Sequence, residues 1–224
     1  MEKGNFTVVD GIAGSGKTTI LRIAKQIAEK KSLSVFDLHT WSDKNCDPPR
    51  FEEIADFDVY FTFEPTRQWT GACIRNELSR TDEPYNARAI AHAFSLDRLV
   101  MYRRLILPAL KAGKIIIQDR SVTSSLVIQP IQDPELSIDY IKSLPGNSLA
   151  LAHAPNRLIL TDIDPELAVA RAKNRTEESK GVYEELELLK GVHNALRSNW
   201  FTKLMTDAGT TIKFIDTATD METT

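Results

Sequence analysis

Gly11-Ile12-Ala13-Gly14-Ser15-Gly16-Lys17-Thr18-Thr19 is the stretch whose reading decides the fold. It fits G-x-x-x-x-G-K-[ST], a phosphate-binding loop. Ahead of it, Phe6-Thr7-Val8-Val9 reads as a short buried strand. Behind it, Ile20, Ile23, Ala24, Ile27 and Ala28 recur at helical spacing. The loop therefore joins a strand to a helix, the setting in which the motif has chemical meaning. Its glycines admit backbone angles closed to other residues, so several N–H groups can converge on one phosphate. The helix starting near Gly16 adds its positive end. Lys17 would carry a point charge to the β- and γ-phosphates, and the Thr18 hydroxyl would ligate Mg²⁺. A chance glycine turn followed by Lys-Thr would need neither flank.

The chain has 224 residues and a formal net charge of −3. That length suits one domain with room for a real core. The charge gives no overall attraction to nucleic acid or an anionic membrane. Two cysteines, Cys46 and Cys73, lack C-x-x-C spacing, which fits a reducing cytosol better than a disulfide framework. No signal-peptide pattern or bilayer-spanning run is visible, so a soluble cytoplasmic protein is expected. His39, His92, His153 and His193 are scattered without metal-ligand spacing.

Outward from the loop, Leu33 to Leu38 reads as a second strand, and Ser42 to Arg50, with Pro48-Pro49, as a loop. Asp58 to Phe63 is a third strand, stopped at Glu64-Pro65-Thr66. Ligands of open α/β sheets lie beyond the carboxyl ends of strands, so Glu64 to Arg67 is a candidate site loop. A helix with Ile74 and Leu78 on one face comes next. Tyr85 to Gly113 is mainly helical, with Phe94, Leu99, Tyr102, Ile106 and Leu110 at helical spacings. Ile115-Ile116-Ile117-Gln118-Asp119 is an apolar strand closed by a carboxylate, which would put Asp119 near the metal. Helices are expected from Ser121 to Ile131 and from Asp133 to Leu144, and a turn at Pro145-Gly146-Asn147. Arg157 to Ile163 is another strand. Asp164 is placed to cap a helix that opens at Pro165 and runs through Ala172. From Tyr183 a long amphipathic helix carries Leu189, Val192, Leu196, Trp200 and Leu204 as its stripe, and Thr211 to Ile215 is a last strand.

Strands alternating with helices predict an α/β fold, a three-layer α/β/α P-loop NTPase with about five or six parallel strands and a short helical lid. The whole chain, 1–224, reads as one kinase domain, with the lid around 172–183 and an insertion around 40–57. A guanine-reading Asn-Lys-x-Asp segment does not occur. Arg171 and Arg175, a helical turn apart, suit a lid that keeps water from a phosphoryl group. Arg120, directly after Asp119, would set a cation beside that group as its charge spreads.

In their order along the chain these segments resemble thymidylate kinases, which make dTDP from dTMP and ATP. They are Gly14-Ser15-Gly16-Lys17-Thr18-Thr19, Glu64-Pro65, Phe94-Ser95-Leu96-Asp97-Arg98, Asp119-Arg120, Ser124 with Gln129, and Asp162-Ile163-Asp164-Pro165-Glu166. Tyr183-Glu184, after the lid, agrees as well. The resemblance implies that Gly11, Ile12, Ala13, Gly14, Ser15, Gly16, Lys17, Thr18 and Thr19 hold ATP, with Thr18 and Asp119 at Mg²⁺. It implies that Phe94 stacks on the pyrimidine and that Arg98 hydrogen-bonds it. Arg120 would grip the acceptor phosphate, while Ser124, Ser125 and Gln129 line the nucleoside pocket with Glu64, Pro65 and Arg67. Lys17, Asp119, Arg120, Arg171 and Arg175 form the implied catalytic set, and a homodimer through helices around Ile74 to Leu110 is implied.

Departures from the family pattern fall mainly on the acceptor side. Ala13 stands where an acidic residue usually contacts the sugar, and Phe63 where an Arg usually precedes Glu-Pro, although Arg67 could cover. Ser121 replaces an aromatic or His, Ile128 an aromatic, and Gly181-Val182 an acidic lid residue. Two other functions therefore stand beside dTMP phosphorylation: a kinase for another deoxynucleotide or a nucleoside, and a nucleotide-binding regulatory protein that has lost transfer. Lys17→Ala is expected to abolish phosphoryl transfer without unfolding the chain. Undiminished turnover of that variant, with an unchanged circular dichroism spectrum, would end the kinase reading.

Overall fold

The computed structural model of the chain describes residues 4–79, 85–173 and 186–218. Among them six strands form one parallel sheet: β1 (Asn5–Asp10), β2 (Val35–Asp37), β3 (Val59–Phe63), β4 (Ile115–Asp119), β5 (Arg157–Asp162) and β6 (Thr211–Asp216). Their spatial order is β2-β3-β4-β1-β5-β6. The winding reverses at β1, between β4 and β5, and the loop after β1 therefore opens into the crevice where such sheets bind ligands.

Strand side chains divide by period two between the sheet's faces. Phe6, Val8, Tyr60, Ile116, Leu158 and Leu160 belong to the large core. Val59 and Phe61 belong to a smaller one with Ala28, Leu21 and Ala24 of helix α1 (Lys17–Lys30). The large core is closed by four further elements. They are helix α4 (Ala87–Met101), its continuation as a wide π-turn over Tyr102–Ile106, helix α6 (Val122–Gln132) and helix α11 (Asn199–Asp207). Met101, Tyr102, Leu105 and Ile106 are all fully buried there. The long Tyr85–Gly113 stretch is thus helical as its spacing predicts, with Gly113 ending it at φ +79°.

Several elements differ from expectation for local reasons. Strand β2 stops at Asp37 because Asp37 accepts a hydrogen bond from the His39 N–H (2.8 Å) and so caps the short helix α2 (Leu38–Ser42). The helix expected from Tyr183 is two helices where it is described, α10 (Leu186–Leu196) and α11. Ser198 accepts from the Phe201 N–H and caps the second. The break rotates the apolar stripe, so Phe201 and Met205 are buried while Trp200 is 37% exposed. Pro145-Gly146-Asn147 is not a turn but the start of helix α8 (Pro145–Ala152), which follows helix α7 (Ile138–Ser143). Proline with its fixed φ suits that first helical position. Helix α9 (Pro165–Lys173) begins as expected, with the Glu166 N–H donating to Asp164 (2.7 Å). Helix α3 (Trp69–Cys73), followed by a π-turn over Ile74–Leu78, and helix α5 (Leu107–Lys111) complete the helices used below. The expected lid lies outside the described residues beyond Lys173, and with it Arg175, Gly181, Val182, Tyr183 and Glu184.

Candidate active site

Parallel register brings the strand ends together. Val9 and Phe63 both lie level with Asp119, and Thr62 lies level with Gln118. Asp10, Glu64, Asp119 and Asp162 therefore share the carboxyl edge of the sheet with the glycine-rich loop.

The loop has the strained backbone its glycines allow: φ is +77° at Gly14 and +84° at Gly16. A side chain at Gly14 would also strike the backbone of α9, whose Ala168 carbonyl would lie 2.3 Å from the added Cβ. Thr217, just past β6, donates to the Ser15 carbonyl at 2.9 Å and braces the loop from the other side. Lys17 is buried and folds back to the carbonyls of Ile12 (2.7 Å) and Gly11 (3.1 Å). Thr18 is exposed at the first turn of α1.

Asp10 escaped the motif reading because it stands one residue ahead of the loop. It is 1% exposed yet fully engaged. It accepts from Gly11 N–H (2.8 Å), Thr123 Oγ1 (2.6 Å), Ser124 Oγ (2.9 Å) and Arg120 Nη1 (3.3 Å). A buried carboxylate is tolerated when hydrogen bonds and a cation surround it. Here those partners are the start of the P-loop, the start of α6 and the arginine after β4. Arg120 has φ +60°, a left-handed conformation uncommon outside glycine, and its Nη1 also donates to Gly11 O (3.3 Å) and to Ser124 Oγ (3.1 Å). Beside it, Asp119 Oδ1 is buried and has no hydrogen-bond partner among the described residues.

A second buried system lies under α4. Arg98 is 1% exposed, and its Nε and Nη2 both reach Glu64 Oε2 at 2.8 Å. Its Nη2 also donates to Ser125 Oγ (3.2 Å). Gln118 Nε2 donates to Glu64 Oε1 (3.1 Å) and to the Arg120 carbonyl (2.9 Å), and Thr62 Oγ1 donates to Gln118 Oε1 (3.0 Å). One chain of bonds thus runs from Arg98 to Arg120. Burial pushes the Glu64 carboxyl up to about 7, against the pull of Arg98 and the hydrogen bonds. The neighbouring Asp97 ties down the site loop, accepting from Thr66 N–H (2.8 Å) and Thr66 Oγ1 (2.6 Å). Phe94, one turn ahead of Arg98 on α4, is half-buried. Gln129 Oε1 is buried with no partner among the described residues, an acceptor waiting for a donor.

Phe63 carries the third feature. The His39 ring stacks on it at 3.9 Å and 7°, and the guanidinium groups of Arg67 and Arg75 lie 5.9 and 5.3 Å from its ring centre. Arg75 is anchored to the carbonyls of Pro65 and Thr66, each 2.9 Å from its Nε. Burial first, then repulsion from Arg67, lowers the proton affinity of both Arg75 and His39. An arginine stays charged regardless, and Arg67 Nη1 is paired with the exposed Asp43 Oδ1 at 3.0 Å. Arg171 instead donates to the carbonyls of Thr217 (2.7 Å) and Ala218 (3.1 Å). No cluster of His, Cys, Asp and Glu able to hold a metal by itself occurs among the described residues.

The sequence model of the family described as thymidylate kinase matches residues 50–223. The chain belongs to the thymidylate kinase family. The P-loop lies ahead of that match, while relatives align over more of the chain. A probable thymidylate kinase of Methanosarcina mazei is 30% identical over 212 residues, 92% of this chain and 85% of its own. One of Pyrococcus abyssi is 32% identical over 88% of this chain and 82% of its own. The thymidylate kinase of Halothermothrix orenii is 28% identical, covering 84% and 78%.

The sequence singled out Lys17, Thr18, Glu64, Arg98, Asp119, Arg120, Ser124 and Ser125, which gather around the carboxyl edge of the sheet, and Gln129, which lies one turn beyond Ser125 on α6. Asp10, Asp97, Gln118 and Arg75 were missed. For Asp10 and Gln118 the signal was position alone, each being a polar residue at the inner end of an apolar strand next to a motif.

Glu64→Ala should cost about 3–5 kcal/mol of folding stability, because it leaves Arg98 buried without its counter-charge. In urea unfolding, Arg98→Ala should cost about as much by the same mechanism, and the double variant much less than the sum. Additive costs would mean that the contact carries no coupling.

Proposed function

We propose that this chain phosphorylates dTMP with ATP, and that Arg98, held by Glu64 beneath α4, reads the base. The observation that carries this reading is the bond from Arg98 Nη2 to Ser125 Oγ, with Gln129 Oε1, buried and unpartnered among the described residues, one turn further along the same face of α6. A pyrimidine with a carbonyl oxygen and a ring N–H offers the complements, an acceptor for arginine and a donor for the glutamine oxygen. Phe94, a turn from Arg98, supplies an aromatic face for stacking.

The donor is ATP with Mg²⁺. The N–H groups of Gly11 to Thr19 would hold its phosphates, and Lys17, which now donates to the Gly11 and Ile12 carbonyls, would supply a positive charge to them. The unpartnered Asp119 oxygen and the Thr18 hydroxyl fit a hard cation, which would be held there and neutralise charge on the β- and γ-phosphates. Arg120, steadied by Asp10 and Ser124, is positioned for the acceptor phosphate. Arg67 and Arg75 around Phe63 supply the cation that an arginine at position 63 would otherwise bring. Catalysis is then placement plus charge neutralisation, with no covalent step on the protein.

The lid of 172–183, with Arg171 and Arg175, would cover ATP, and residues 40–57 are read as an insertion within a single domain. A cytoplasmic homodimer completes the reading. Leu96 is 49% exposed on α4, and Cys46 and Cys73 are free thiols. Among the described residues no helix is long and apolar enough to cross a membrane. A monomer mass by light scattering at micromolar concentration would contradict the dimer.

A coupled ADP-release assay over a panel of nucleosides and monophosphates tests the acceptor. dTMP should give the highest kcat/KM, and Arg98→Lys, which keeps the charge but loses the planar fork, should raise the KM for dTMP about tenfold or more with little effect on ATP. A different preferred acceptor would overturn the dTMP assignment, and equal effects on both substrates would remove Arg98 from the base pocket.

A further inference from the structure

Helix α8 belongs to none of the motifs that identify the family, yet it enters the base pocket. Asn147, its third residue, is completely buried, and its Oδ1 accepts a short hydrogen bond from Arg98 Nη1. Its Nδ2 donates to the Ile141 carbonyl of α7 at 2.7 Å. The orientation of the amide is dictated by chemistry, since arginine only donates and a carbonyl only accepts.

The helix is held at van der Waals limits against the turn of α4 that carries Arg98. Gly146 N–H donates to Ser95 Oγ at 2.9 Å, and a Cβ at Gly146 would lie 1.8 Å from the Ser95 carbonyl oxygen. Ser95 precedes Arg98 by three residues, so it shares the helix face on which Arg98 sits. Backbone therefore meets backbone, and Asn147 is pressed onto the guanidinium without slack.

We propose that Asn147 is a positioning residue for acceptor recognition. It fixes the plane of the Arg98 guanidinium from the side opposite to Glu64, and α8 is thereby a wall of the base pocket. The inference rests on the reading of Arg98 as the base-binding group. Its physical content is a division of labour. Glu64 balances the charge of Arg98, and it contacts Nε and Nη2. Both of those contacts converge on one oxygen, Glu64 Oε2, and Ser125 adds a bond at the same Nη2, so the rigid plane is held on one edge and could still pivot at Nη1. Asn147 supplies an acceptor at Nη1, and that oxygen fixes the far end of the fork. One hydrogen bond from Nη1 is made among the described residues, and Nη1 carries two N–H groups, so a second remains for the substrate.

Two variants separate positioning from plain stability. Asn147→Leu and Asn147→Asp both lose the bond to Ile141 and should lower Tm to a similar extent. Only Asn147→Leu also loses the acceptor for Arg98. Steady-state kinetics of the full chain should show its KM for dTMP raised about tenfold, with the KM for ATP within about twofold. Asn147→Asp should stay within about threefold of the parent for dTMP, because it keeps an oxygen at Nη1. If both variants raise the KM for dTMP in step with their loss of Tm, Asn147 is only structural and the proposal falls. It falls equally if Asn147→Leu leaves that KM unchanged while Arg98→Lys raises it. If Arg98→Lys also leaves it unchanged, the base-pocket reading itself has failed and takes the proposal with it. Should Asn147→Leu not fold, Ser95→Ala removes the anchor of α8 instead. It should raise the KM for dTMP in the same direction by about threefold, and no change would overturn the proposal.

Discussion

Arg98 and Glu64 meet at 2.8 Å in a region closed to water, and much of the structure beneath α4 is arranged by what that contact requires. Two charges leave water only at large cost, and their attraction offsets it only when the remaining donors and acceptors are filled. The filling is done by Ser125 from α6, Asn147 from α8 and Gln118 from β4. Those elements are far apart in sequence, and the demands of one ion pair fix their relative positions. A network made this way holds each of its members in one geometry.

The donor side is organised by a different carboxylate with the same logic. Asp10 has every lone pair occupied by the loop, by α6 or by Arg120. Gln118 links the two systems, since it donates both to Glu64 and to the Arg120 carbonyl. Displacement of Arg120 would therefore be felt at Glu64, and the converse. The cations about Phe63 are the contrasting case. Arg75 is tied to backbone carbonyls and Arg67 to the Asp43 carboxylate, both beside an aromatic face, and both are exposed, whereas Arg98 is buried against Glu64.

Much of this was legible in the chain because the relevant signals are local. A glycine-rich loop between an apolar strand and a helical repeat has one economical physical explanation. A run such as Ile115 to Asp119 reads as a strand closed by a carboxylate once the loop upstream is recognised. The unread features depend on neighbours. Nothing in Pro145-Gly146-Asn147 tells a turn from a helix start until α4 is seen to lie against Gly146. The rotation of the stripe at Ser198, which exposes Trp200 and buries Phe201, follows from a cap that a helical wheel does not see. Asp10 and Asn147 are ordinary polar residues in sequence, and they become distinctive only through their lack of solvent.

By itself the sequence determined the alternation of strands and helices and the glycine-rich loop between a strand and a helix, and the order of its motifs carried the family resemblance. The first two follow from covalent spacing: period two, helical period, and glycines at fixed offsets from a lysine. Tertiary structure alone decided how the charges are shared. It set Asn147 rather than a second carboxylate at the far end of Arg98, filled Asp10 completely, and gathered two arginines around Phe63. Those choices depend on which groups are deprived of water together, and burial is a property of the packed chain.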